Sequence, residues 1–92
     1  MKHSEIIAAA MAEAERQGFF LVAIHADAAL GAAITLCRSP GHHPWAVHRF
    51  STVNGGLNTG GYHFTRDAAL VEFNQRLENL LTDWQLRHPA IA

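Results

Sequence analysis

The sequence predicts an α+β fold in the order α-β-β-β-β-α, a four-stranded antiparallel meander with both helices packed on one face. Three observations predict it. Residues 5–17 and the stretch after Thr65 repeat apolar side chains at spacings of three and four, the period of a helix with one buried stripe. Between them lie strand-length runs rich in aromatic and β-branched residues. Asn54-Gly55 joins two of those runs with residues that tolerate the positive φ of a tight hairpin.

The first helix is expected from Glu5 to Gln17. Ser4 serves as its N-cap, Glu5 suits the positive end of the dipole, and Gly18 stops it. Ile6, Ile7, Ala10, Met11 and Ala14 form its stripe. Phe19–His25 reads as a strand with no polar face, which predicts cover on both sides. Asp27–Gly31 connects it to a second strand, Ala33–Arg38, and a short helix over Ala28–Leu36 is the alternative for that segment.

Residues 39–44 hold two prolines and a glycine and read as a loop. Trp45–Val53 is the third strand and Leu57–Phe64 the fourth. Gly60-Gly61 inside the latter predicts a bulge or a close backbone approach. Thr65 caps the last helix, whose stripe is Leu70, Phe73, Leu77, Leu80, Leu81 and Trp84. Glu72–Arg76 and Asp83–Arg87 are favourable i,i+4 pairs, and Pro89 ends the helix after His88. The expected core comprises Ile7, Met11, Phe20, Val22, Ile24, Leu36, Phe50, Leu70, Phe73 and Leu77.

A chain of 92 residues makes one domain, residues 1–92, with a modest core. Its single cysteine, Cys37, excludes an internal disulfide and reads as a buried structural thiol. The formal net charge of −1 gives no general attraction to nucleic acid or an anionic membrane. Phe19–Cys37 is nearly continuous apolar sequence, but Asp27 near its centre costs roughly 2.5–3.5 kcal/mol on insertion. With Glu5, Glu13, Glu15 and Arg16 breaking any leader-like apolar run, the expected location is the cytoplasm.

A last helix of about 33 Å against a strand of about 23 Å leaves distal residues to be covered from elsewhere. Leu80, Leu81 and Trp84 are therefore the expected seam of a homodimer. No catalytic signature is present: there is no Ser elbow, no Cys-x-x-Cys, no His-Glu-x-x-His and no phosphate-binding Gly motif.

The candidate site is the hairpin, where His48, Arg49, Tyr62, His63 and Trp45 could bind a ligand. Whether His48 faces His63 depends on the turn register: a turn centred on Gly55-Gly56 pairs them and one centred on Asn54-Gly55 does not. His42 and His43 are weak metal candidates in their loop, and no cofactor is expected. The favoured function is a non-enzymatic interaction or regulatory module acting as a homodimer with an unidentified protein or small-molecule partner. The alternative is a small-molecule or metal-binding protein, conceivably an enzyme, built on the hairpin histidines.

Pro44-Trp45, Val47, Arg49-Phe50, a Gly turn, Gly61-Tyr62-His63-Phe64, Ala69, Phe73 and Arg76 together resemble a pattern in short uncharacterised bacterial proteins. The resemblance covers about a third of the chain and implies a small α+β protein; it transfers no catalytic residue. The order of elements is also similar to that of double-stranded RNA-binding domains, which makes RNA binding a second alternative. Those domains begin their last helix with lysines, where this chain has Thr65-Arg66-Asp67-Ala68.

Overall fold

The computed structural model describes residues 2–58 and 60–87. Its elements are α1 (His3–Arg16), β1 (Phe20–Asp27), β2 (Ala32–Arg38), β3 (Trp45–Ser51), β4 (Gly56–Leu57), β5 (Gly61–His63) and α2 (Arg66–Arg87). The sheet is an antiparallel meander of order β1-β2-β3-β4, with β5 also on β3. The expected fourth strand is thus two short pieces laid on one neighbour, and Ala28–Leu36 is not a helix. No helix among the described residues is long and apolar enough to cross a membrane.

Local chemistry sets the ends of each helix. Glu5 reaches back to the Lys2 backbone N–H at 2.8 Å, so α1 starts two residues before the position Ser4 suggested. At its other end Gly18 takes φ 83°, Phe19 N–H donates to Ala14 and Gly18 N–H to Glu15, satisfying carbonyls the last turn would leave open. Thr65 Oγ1 accepts the Ala68 N–H at 3.2 Å and caps α2 as expected. The Arg87 side chain and the stop at His88-Pro89 lie outside what is described.

The β1–β2 and β3–β4 hairpin loops have four residues each. Asp27 pairs with Ala32, Ser51 pairs with Gly56, and the last loop residue in each, Gly31 or Gly55, has positive φ. Asn54 does not, so the expected two-residue turn with positive φ at both centres is replaced by a longer one. Asn54 Oδ1 instead accepts the Gly56 N–H at 3.0 Å.

The two helices lie on opposite faces of the sheet, not on one as expected. Ala32, Ile34 and Leu36 of β2 and Val47 of β3 form a buried cluster with Ala69 and Leu80 of α2. Ala33 of β2, Phe50 of β3 and Ala26 of β1 form a second one with Ile6 and Ala10 of α1. Successive strand residues point to opposite faces, so the alternation of 32, 34, 36 with 33 assigns one helix to each side. β2 is consequently the strand buried on both faces, whereas β1 is an edge strand with Phe20 72% and Val22 48% exposed.

The core is smaller in side chain than expected. Leu36 and Phe50 are buried, and Ile7, Ile24, Leu70, Phe73 and Leu77 pack around it half-buried. Met11, Phe20 and Val22 are exposed, and Ala10, Ala14, Ala26, Ala32, Ala33, Ala46 and Ala69 are buried instead. Alanines at these positions let each helix backbone approach the sheet closely. Leu80 is only 2% exposed. α2 packs across β2, β3 and β5, so its length is matched by the width of the sheet as well as by one strand.

Candidate functional site

The hairpin register decides which candidate residues can act together. Trp45 pairs with His63, Ala46 with Tyr62 and Val47 with Gly61. Continued by one step, this register puts Gly60, not His63, opposite His48. His48 and Tyr62 therefore share the α1 face, while Trp45, Arg49 and His63 share the α2 face. The hairpin histidines do not converge.

On the α1 face His48 is 4% exposed. Its ring lies 5.1 Å from that of Phe19 and meets Tyr62 nearly edge-on at 5.6 Å. Nε2 is 3.3 Å from the Tyr62 hydroxyl, and Nδ1 is buried without a partner among the described residues. Burial, then the positive Arg76, push the His48 pKa below its usual value, and Glu72 offsets this in part. The imidazole is thus a neutral packing group at neutral pH. Gly60 closes the other side: a Cβ there would collide with the His48 ring and the Val47 carbonyl oxygen. The close approach expected at Gly60-Gly61 is real at both residues, for a Cβ on Gly61 would meet the Glu72 carboxylate.

On the α2 face charges are paired through α2. His63 Nε2 lies 2.6 Å from Glu72 Oε1, and Arg76 Nε donates to Glu72 Oε2 at 2.8 Å. Arg49 Nη1 donates to Asp83 at 2.8 Å; the expected Asp83–Arg87 pair lies outside the described side chains. Burial raises the Glu72 pKa, but the hydrogen bonds from His63 and Arg76 outweigh it and hold the carboxyl below its ordinary range. Arg38 covers the Trp45 ring at 4.6 Å. Beside this network a cleft of about 300 Å³ opens between α2 and the sheet, lined by Ile34, Arg49, Glu72, Gln75, Arg76 and Asn79.

The remaining candidates are dispersed. His42 and His43 are exposed, and His43 stacks on Phe64 at 4.3 Å between ring centres. Among the described residues no three His, Cys, Asp or Glu side chains are grouped to hold a metal ion. Cys37 is fully buried, and burial raises its thiol pKa against a smaller opposing effect of Thr35. Of the expected dimer seam, Leu80 belongs to the chain's own core, Trp84 is half-buried, and Leu81 is exposed.

Sequence reasoning missed Gln75, Arg76 and Asn79 as cleft residues, and it read Glu72 only as a helix-surface ion pair. Glu72, Gln75, Arg76 and Asn79 follow helical spacing on one stripe, which in sequence looks like an ordinary solvated face. The available signal was Arg49, a charge on the same strand face as Val47. No protein-family model matches the chain, and no curated protein or solved structure does either.

Proposed function

We propose that the chain is a non-enzymatic interaction module that works as a homodimer, two copies pairing along β1. The observation that carries this is the edge itself. β1 is an eight-residue strand at the end of the sheet order, and Phe20–Asp27 contains no Lys, Arg or Pro. Natural edge strands are usually blunted by such residues, because an open row of N–H and C=O groups is a template for pairing. Its partial covers are the bulge at Val22, between Leu21 and Ala23, the His3 side chain on the Ala26 carbonyl oxygen, and the charge of Asp27 at its end; the bulge leaves Ala23–Asp27 regular.

A two-fold axis beside β1 pairs the same surface on both copies. It also covers Phe20 and Val22, whose burial contributes about 1.5–3 kcal/mol each before the cost of association. The separation of His48 from His63 supports an interaction role over chemistry at the hairpin, since the pair that such chemistry would use is split between faces. The proposed seam is therefore β1 and not the end of α2, where Leu80 is internal.

Light scattering on a Phe20→Lys, Val22→Lys double variant tests this. Both positions are exposed, so the fold survives, and two added charges at the seam convert the dimer to monomer. Leu81→Lys, on the exposed side of α2, leaves it intact. The reverse pattern would return the seam to α2.

A further inference from the structure

We infer that the cleft between α2 and the sheet is a binding site for a small zwitterion, a free α-amino acid or a molecule presenting the same adjacent carboxylate and ammonium. This does not rest on the homodimer. A volume of about 300 Å³ lies at the small end of ligand pockets. Such pockets are mostly apolar with few polar groups. Here the proportion is inverted: among the described residues Ile34 is the one apolar lining residue.

Both signs of charge face the same space. Arg49 and Arg76 supply guanidinium groups, which suit a carboxylate. Glu72 supplies a fixed anion: its two oxygens are oriented by His63 and Arg76, yet a carboxylate accepts about four hydrogen bonds, so an ammonium can be added. Gln75 and Asn79, one helical turn apart on the rim, each offer a donor and an acceptor. Arg49 also interrupts the apolar pattern of its strand face. It pairs across the sheet with Ile34 on the α2 face, a position at which a core strand takes an apolar residue. Breaks in a local pattern of this kind are expected at functional or strained sites. Arg49 donates to Asp83 from Nη1, which carries two of the five guanidinium N–H groups.

Nitrogen-detected NMR on the full chain tests the site, titrating the proteinogenic amino acids singly with acetate and ethylammonium as single-charge controls. At least one amino acid gives saturable shifts at the Gln75 and Asn79 side-chain amides and at Arg49 Nε, and each control binds at least about tenfold more weakly. Arg49→Gln weakens binding by at least about tenfold. Should that variant unfold, Asn79→Leu and Gln75→Leu decide the matter, because both residues are exposed and the fold tolerates the change. Absence of saturable shifts for every amino acid at about 10 mM, an affinity floor of only a few kcal/mol, overturns the site. Acetate binding as tightly as any amino acid overturns the zwitterion.

Discussion

Gly61 lies directly beneath the Glu72 carboxylate, in space that a single methyl group would take from it. The contact explains why β5 can carry His63 to Glu72 at 2.6 Å, and it separates the consequences of two adjacent glycines. Gly61→Ala pushes aside the end of a flexible side chain and loosens the His63 and Arg76 hydrogen bonds, at about 1–2 kcal/mol. Gly60→Ala meets the Val47 carbonyl oxygen of a paired strand and the enclosed His48 ring, neither of which can swing away. Its cost is about 3 kcal/mol. Urea unfolding of the two variants should rank Gly60→Ala as the more damaging; equal midpoints would mean that Gly60 has room the structure denies it.

Two neighbouring leucines on α2 should behave in opposite ways. Leu80 is buried in the cluster of Ile34, Leu36 and Val47, so Leu80→Ala leaves a cavity and costs about 2–5 kcal/mol. Leu81 is 57% exposed, and Leu81→Ala changes stability by no more than about 0.5 kcal/mol. Thermal melts of both variants check the pair. A costly Leu81→Ala would show that this face is covered in solution.

Most of the order of elements was legible in the sequence, and the reasons are local. Thr65 as a cap, Gly18 as a helix stop and the close approach at Gly60-Gly61 each follow from one or two residues and hold in the structure. The side of the sheet that each helix takes did not follow. β2 is apolar on both faces, so its pattern is the same whichever face α1 covers. The buried alanines were discounted for their small area, although small size is what admits a helix close to a sheet. The hairpin register hung on whether the turn centres on Asn54-Gly55 or on Gly55-Gly56, and the structure takes neither, because its loop spans residues 52–55. Arg49 and His63 were legible as site residues, while the helix side of the cleft was hidden in a stripe that reads as solvated.

The molecule should lose stability on mild acidification. Burial and Arg76 depress the folded pKa of His48 below the ordinary 6.5. The unfolded chain therefore binds a proton that the folded chain refuses, and stability rises with pH through that interval. The contribution is fully present above 6.5 and is lost as pH falls toward the depressed folded value. Glu72 adds a second loss further down. Its folded pKa lies below the ordinary 4.5, so its stabilisation is present above 4.5 and disappears as the carboxylate is protonated in the folded state. Urea midpoints measured from neutral pH downward should fall in these two stages, and His48→Gln should flatten the first. A midpoint unchanged between neutral pH and about pH 5 would show that His48 is protonated without cost.

The homodimer is decided most directly by sedimentation equilibrium of the unmodified chain over a concentration series. Pairing along β1 gives a species of twice the 10.1 kDa chain mass that dissociates on dilution, with a Kd in the micromolar range or below, corresponding to about −8 kcal/mol or better. A mass that stays at 10.1 kDa across the whole series would contradict it.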